Sequence, residues 1–149
     1  MFDRFTDRAE RVMVLSRQQV QRMHHASIGT EHVLLGMIEE GTGVAVHVLK
    51  NRGIDLEELR GEVESRIGPS GDEATRVPVP FSARMKKVLE MSMEEAARMR
   101  HGYIGTEHLL LGLLHHREDI AGEVLDHAGA DLAGVRGEVL DFLGETGSA

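Results

Sequence analysis

The chain has 149 residues, 41% of them hydrophobic, and a formal net charge of −8, which suits a single domain with a buried core. The absence of cysteine excludes disulfides and thiolate metal sites, and an acidic chain with scattered cations is a poor nucleic-acid binder. Because the sequence contains neither a run of about 18 apolar residues nor a secretory signal, we expect a cytoplasmic protein that does not span a membrane. A monomer is the default expectation for its oligomeric state.

One block of sequence occurs twice. Residues 28–36 read Ile-Gly-Thr-Glu-His-Val-Leu-Leu-Gly, and 76 residues further on 104–112 read Ile-Gly-Thr-Glu-His-Leu-Leu-Leu-Gly. The same offset aligns Phe5 with Phe81, and the alignment continues to Gly68 without a gap. Such a match over a whole segment indicates an internal duplication.

The duplication predicts the domain organisation. We expect one domain over 1–149, with repeat one at 5–68, a linker at 69–80, repeat two at 81–144 and a frayed tail at 145–149. The linker contains all three prolines of the chain, and proline disrupts the interior of a helix.

The first helix of each repeat is predicted by apolar residues at spacings of three and four, with Thr6 and Ser82 as N-caps. Ser16 and Ser92 lie within these stripes, where a hydroxyl usually bonds to a carbonyl one turn earlier. In repeat one the stripe consists of Phe5, Ala9, Val12, Met13, Ser16, Val20 and Met23.

Three further helices follow in each repeat. Thr30 and Thr106 are predicted to cap a short helix that is apolar on all sides and therefore central in the core. The third helix of repeat one should run from Val44 to Arg52 and end at Gly53, since glycine accepts the left-handed conformation there.

The fourth helix is predicted to begin at Asp55 in repeat one and at Asp131 in repeat two, each aspartate serving as its N-cap. The fold class is therefore all-α, with two tandem, pseudo-symmetric four-helix repeats.

Catalytic motifs are missing from the sequence. It contains no HExxH, no GxSxG and no phosphate-binding loop, so we expect neither an enzyme, nor a cofactor, nor a metal site. The carboxylate pairs Glu39-Glu40 and Glu94-Glu95 are expected on solvated faces. A small enzyme or metal carrier that uses the nine histidines is a less favoured alternative.

The duplicated Gly-Thr-Glu-His segment has two interpretations. Glu31 or Glu107 in a first helical turn is stabilised by the helix dipole and needs no ligand. Alternatively, each glutamate together with Arg8 or Arg84 could hold a zwitterionic group, the carboxylate taking a guanidinium and the arginine an anion.

These motifs resemble the N-terminal domain of the ClpC unfoldases, the Hsp100-type AAA+ partners of the ClpP protease. The resemblance extends from Phe2 to about Gly144 and is carried by the segments Phe5-Thr6-Asp7-Arg8-Ala9, the two Ile-Gly-Thr-Glu-His segments and Lys86-Lys87-Val88-Leu89-Glu90. It implies the double Clp-N fold and a domain that receives protein substrates and adaptors.

The resemblance also implies two binding sites. Family members bind phosphoarginine, a degradation tag, which here implies a ligand site of Thr30, Glu31, Thr106, Glu107, Arg8 and Arg84. Some members bind cyclic-peptide antibiotics, which here implies a face of Phe2, Phe81, Lys86 and Glu90. The implied partners are phosphoarginine-tagged or unfolded proteins, Clp adaptor or unfoldase proteins, and cyclic-peptide antibiotics.

The chain also departs from the family pattern. The segment Gly-Glu-Gly-Val-Ala-Ala is loosely retained at 41–46 but becomes Arg-Glu-Asp-Ile-Ala-Gly at 117–122. This divergence favours a stand-alone homologue over an excised domain, and predicts that repeat one is better preserved. The presence of Phe2, Phe81, Lys86 and Glu90 on a chain without ATPase motifs suggests an alternative function, a decoy that sequesters cyclic-peptide antibiotics directed at the unfoldase.

Overall fold

The structure is a computed structural model that describes residues 3–67 and 77–145. Over these residues the chain forms eight α-helices, which confirms the predicted all-α class, and none of them is long and apolar enough to cross a membrane. The helices are α1 Asp7–Met23, α2 Thr30–Glu40, α3 Val44–Asn51, α4 Leu56–Ile67, α5 Ala83–Arg98, α6 Thr106–Leu114, α7 Ile120–His127 and α8 Leu132–Phe142.

Some predicted features lie outside the described residues: Phe2, the linker up to Arg76, and the tail from Thr146 onward. Of the predicted tail, Glu145 is described, and its amide donates to the Leu140 carbonyl at 2.8 Å.

Four helices are capped as the sequence predicts. The Thr6 hydroxyl accepts from the Ala9 amide and the Ser82 hydroxyl from the Met85 amide, both at 3.1 Å. The Asp131 carboxylate accepts from the Gly134 amide at 2.9 Å, and in repeat one Asp55 accepts from two amides of the first turn of α4.

The predicted caps of α2 and α6 are wrong. Gly29 and Gly105 occupy the N-cap positions in extended conformation, and Thr30 and Thr106 are the first helical residues. The threonine hydroxyl is therefore not needed by its own helix. The Thr106 hydroxyl instead accepts from the Ala45 amide in the first turn of α3, at 3.1 Å, so that repeat two caps a helix of repeat one.

The helices α2 and α6 lie at the centre of the core, as their all-round apolar sequence predicts. Every residue from Thr106 to Leu114 is buried. In α2 every residue from Thr30 to Ile38 is buried except Glu31. The central helices contact the first helix of their own repeat and also contact each other.

Two serines in the core are satisfied by their own helices. The Ser16 hydroxyl donates to the Val12 carbonyl at 2.7 Å, and the Ser92 hydroxyl donates to the Val88 carbonyl at 2.8 Å. Both serines are fully buried, so these bonds remove the cost of an unpaired hydroxyl, as predicted.

One predicted solvated carboxylate is buried. Glu95 is 1% exposed and accepts from Arg136 at 2.5 and 3.2 Å and from His115 at 3.0 Å. Burial alone would raise its pKa, but the hydrogen bonds and charge of these partners outweigh burial and lower it. In repeat one the equivalent pair is Gln19 and Glu39, joined at 3.1 Å.

The two repeats are joined by crossed backbone bridges. The Thr6 amide donates to the Ile104 carbonyl, and the Ser82 amide donates to the Ile28 carbonyl, both at 2.9 Å. Each isoleucine amide donates back to the same segment at 2.8 Å, which makes two isolated parallel bridges. The start of α1 therefore lies beside the start of α6, and the start of α5 beside the start of α2.

Helix packing follows the same crossing. The helix α3 packs against α8 and α6, and α4 packs against α7. Each half of the molecule therefore contains helices from both repeats.

The glycines of α2 and α6 allow a direct test of this packing. A Cβ on Gly112 would lie 2.7 Å from the Val88 carbonyl oxygen, and one on Gly36 would approach the equivalent carbonyl equally closely. Substitution of either by Ala should lower the free energy of unfolding by about 1–3 kcal/mol, as measured by urea denaturation.

The matched controls are Gly61→Ala in α4 and Gly137→Ala in α8, where an added Cβ meets no atom within 4 Å. These exposed helical positions should gain about 0.5–1 kcal/mol. Equal effects of Ala at all four glycines would contradict the close approach of α1 to α2 and of α5 to α6.

Candidate functional site

The crossed bridges place each candidate glutamate beside the arginine of the other repeat. Glu31 and Arg84 line a pocket of about 710 Å³, which we call pocket one. Glu107 and Arg8 line a pocket of about 490 Å³, which we call pocket two. The structure thus brings the predicted ligand residues together in two composite pockets, with Thr30 in the first and Thr106 in the second.

The glutamates fold back over the glycines that precede their helices. A Cβ on Gly29 would overlap the Glu31 carboxylate, and one on Gly105 would overlap the Glu107 carboxylate. Glycine at these positions therefore leaves room for the carboxylate at the start of its helix, where the helix dipole favours negative charge.

Pocket one contains a second carboxylate. Asp119 is the N-cap residue of α7, and its Oδ1 lies 3.1 Å from Nη1 of Arg84. The Asp119 side chain is only 4% exposed, whereas Arg84 is 72% exposed. Glu31 is half-buried in the same pocket, so pocket one is lined by two carboxylates and one guanidinium.

Pocket two is more enclosed at its glutamate. Glu107 is 2% exposed, and burial raises its pKa, while a hydrogen bond to its own backbone, the charge of His101 and a hydrogen bond with Tyr103 act in the opposite direction. Arg8 is exposed and donates from Nε to the Thr42 hydroxyl at 3.0 Å.

One pair of equivalent positions differs in chemistry between the repeats. Arg66, which precedes the pocket-one residue Ile67, forms an ion pair with Glu123. The equivalent residues Phe142 and His47 line pocket two, and their rings stack with centroids 5.5 Å apart. An aromatic pair in pocket two therefore replaces the ion pair of Arg66 and Glu123.

A pair of histidines supports the first turn of each central helix. The His32 Nδ1 accepts from the Gly29 amide at 2.9 Å, and its Nε2 lies 2.8 Å from His25 Nδ1. Because His32 Nδ1 is an acceptor, its proton is on Nε2 and is donated to His25.

The same arrangement recurs in repeat two, where the Gly105 amide donates to His108 at 2.8 Å and His108 lies 2.8 Å from His101. There the His101 Nε2 lies 2.9 Å from the Glu145 carboxylate. These histidines satisfy the amides of the N-cap residues Gly29 and Gly105, whereas an N-cap threonine would accept from an amide two or three residues further on.

The sequence matches the Clp repeat (R) N-terminal domain over residues 4–90 and again over 80–148. The chain belongs to this family. The two matched segments correspond to the two repeats found in the sequence, and together they cover almost the whole Clp N-domain.

Relatives of known sequence and structure agree with this assignment. The chain is 48% identical to the chloroplastic chaperone protein ClpC2 of Oryza sativa subsp. japonica over 149 residues, which are all of this chain and 16% of that protein. It therefore spans about a sixth of the length of that relative.

Two solved structures share the fold. The N-terminal domain of the chaperone ClpD from Arabidopsis thaliana is 30% identical, has a TM-score of 0.74 and covers 97% of both chains. A complex of the ClpV N-domain with a VipB peptide has a TM-score of 0.76 over 99% of this chain and 92% of that one, at 12% identity, which shows the fold alone.

The described residues of the implied antibiotic face are absent from the lining of both pockets. Phe81 is half-buried and lines a groove of about 240 Å³ with Phe5 and Val79. Lys86 and Glu90 are exposed on α5. Phe2 lies outside the described residues.

Several pocket residues were missed at the level of sequence. The histidine pairs could have been found, because His25, His32, His101 and His108 obey the repeat offset. Asp119 stands out in the same alignment, where it replaces glycine. From the sequence we expected this change to affect repeat two. Because the two repeats cross, Asp119 instead lines pocket one together with Glu31 of repeat one.

The described residues include one group of three potential metal ligands, His116, Glu118 and Asp119, with ligand atoms within 4.8 Å of one another. Asp119 already pairs with the Arg84 guanidinium. A cation bound there would have to displace that arginine, so the group does not support a metal site.

The histidine pairs make the stability of the Clp N-domain depend on pH. Burial, followed by the charge of the neighbouring histidine, lowers the pKa of both His32 and His108 from 6.5 to about 4. The unfolded chain therefore binds more protons than the folded one between these values. Stability is fully present above pH 6.5 and is lost as the pH falls toward 4.

We predict a loss of up to about 3 kcal/mol per histidine over this range, measured as the free energy of urea unfolding at successive pH values. Replacing His32 and His108 together by Gln keeps a side-chain acceptor without the titration and should flatten the profile. His127→Gln, at an exposed position, should leave the slope unchanged. An unchanged slope in the double variant would assign the pH dependence to other groups.

Proposed function

We propose that this Clp N-domain is a recognition module of the Clp proteolytic system that binds phosphoarginine-tagged proteins or adaptor surfaces and carries out no catalysis itself. The observation that carries this proposal is the composite pocket. In each pocket a carboxylate at a helix start and an arginine from the other repeat line one cavity.

The chemistry of phosphoarginine suits this combination. Its guanidinium is a planar donor that pairs with carboxylates such as Glu31 and Glu107. Its phosphoryl group is an anion that an arginine side chain can bind. The ligand therefore needs both charges a short distance apart, and a pocket with only one of them would not hold it.

The comparisons support a role in protein recognition. Rice ClpC2 is a chaperone, and the N-domain of ClpV, which shares the fold, forms a complex with a peptide. For this chain we propose the same class of partner, a peptide segment of a substrate or adaptor.

Titration calorimetry with free phosphoarginine tests the proposal. The wild-type chain should bind, and the double variant Glu31→Ala with Glu107→Ala should lose binding by at least about tenfold, since a charged hydrogen bond contributes about 1.5–3 kcal/mol. Glu64→Ala, an exposed position on α4, is the control. The proposal fails if the wild type does not bind or if the double variant binds equally well.

A second candidate function is suggested by the groove beside Phe81. Its walls include the aliphatic residues Ile28 and Val79 with Arg17 and Glu10 at the edge, a combination that suits an apolar peptide with polar backbone groups. We propose as the alternative that this face, with Lys86 and Glu90, binds cyclic-peptide antibiotics and that the domain acts as a decoy for them.

Calorimetry with such a cyclic peptide should show binding that Phe81→Ala weakens and Glu31→Ala does not change. Expression of the chain in a sensitive host should raise tolerance to the antibiotic. No measurable peptide binding and unchanged tolerance would rule the decoy function out.

A further inference from the structure

The internal duplication provides a comparison for each pocket within a single chain. Position 119 in repeat two is equivalent to position 43 in repeat one, and both are N-cap positions, of α7 and α3 respectively. Gly43 has no side chain, whereas Asp119 carries a carboxylate that points at the pocket arginine. Because the repeats cross, Asp119 belongs to pocket one and Gly43 lies at pocket two.

The two pocket arginines are consequently in different states. Arg84 is in contact with the Asp119 carboxylate at 3.1 Å. Arg8 donates to the neutral hydroxyl of Thr42 at 3.0 Å and forms no ion pair with a carboxylate anywhere in the described part of the chain. The cation of pocket one is therefore paired with a carboxylate, whereas the cation of pocket two contacts only a hydroxyl.

Two other carboxylates lie near pocket two, and neither pairs directly with Arg8. Glu40 accepts from the amides of Thr42 and Gly43 at 2.9 and 2.8 Å and also from the Thr42 hydroxyl, so its carboxylate is linked to Arg8 only through that hydroxyl. Asp7 lines pocket two but is exposed, where water screens its charge, and it forms no ion pair with Arg8 among the described residues.

An anion entering pocket one would meet an unfavourable field. It would have to compete with Asp119 for Arg84, and the buried Asp119 carboxylate and the half-buried Glu31 would both repel it. Charges that are little exposed to water interact more strongly than surface charges.

We infer that Asp119 determines specificity: phosphoarginine binds once per chain, in the Glu107–Arg8 pocket, because in the Glu31–Arg84 pocket Asp119 already occupies the arginine that would bind the phosphoryl group. This inference rests on the proposed function and deepens it.

Calorimetry of single-pocket variants with free phosphoarginine tests the inference. The wild type should bind one equivalent, Glu31→Ala should still bind one, and Glu107→Ala should show only weak residual binding. Adding Asp119→Asn to Glu107→Ala should release Arg84 and restore binding in pocket one, with an affinity at least about tenfold above that of Glu107→Ala alone, equivalent to about 1.4 kcal/mol. Asparagine remains a good N-cap, so α7 is preserved.

A control variant completes the test. Asp126→Asn, which removes a charge in the last turn of the same helix, should leave phosphoarginine binding unchanged.

The outcomes separate the inference from the proposed function. Two equal phosphoarginine sites in the wild type, or no effect of Asp119→Asn in the Glu107→Ala background, would overturn the inference and leave the proposed function intact. A lack of phosphoarginine binding in every variant would overturn both.

Discussion

The arrangement of this domain depends on two short backbone bridges between its repeats. Each bridge joins the segment before the first helix of one repeat to the segment before the central helix of the other, through paired amide–carbonyl bonds at Ile28 and Ile104. Both isoleucines are 1% exposed, so breaking a bridge would leave buried backbone groups unpaired, at a cost of about 1–3 kcal/mol each. The bridges thereby fix which arginine meets which glutamate.

The duplicated core has kept its geometry while its polar chemistry has diverged. The apolar helices α2 and α6 occupy equivalent central places, and the serine and histidine bonds recur at nearly equal distances. At the periphery, one repeat has Gln19 with Glu39 where the other has Glu95 with His115. Close packing constrains the core residues strongly, whereas a polar pair at the edge can change type if both partners change together.

The sequence was sufficient for features that depend on neighbouring residues. Helix spacing, the caps at Thr6 and Ser82, and the hydroxyl bonds of Ser16 involve partners within four positions. Features that depend on distant residues were missed or mispredicted. Glu95 is buried because Arg136, 41 positions away, pairs with it, and the crossing itself involves partners a whole repeat apart. Thr30 was mispredicted as a cap because threonine is a common N-cap, whereas here His32 supplies the side-chain acceptor.

The crossing also bears on how such a domain could arise. Neither repeat contains a complete pocket, since each supplies a glutamate to one cavity and an arginine to the other. In a lone repeat, the backbone amides and carbonyls around its isoleucine and before its first helix would lose their partners. Those groups could form the same hydrogen bonds only by pairing with a second copy of the repeat. Two copies related by a twofold axis would rebuild both bridges with identical contacts, as closed symmetric dimers do. Once the two copies are joined in one chain, their sequences no longer have to be identical. Each pocket can then change independently and acquire its own ligand.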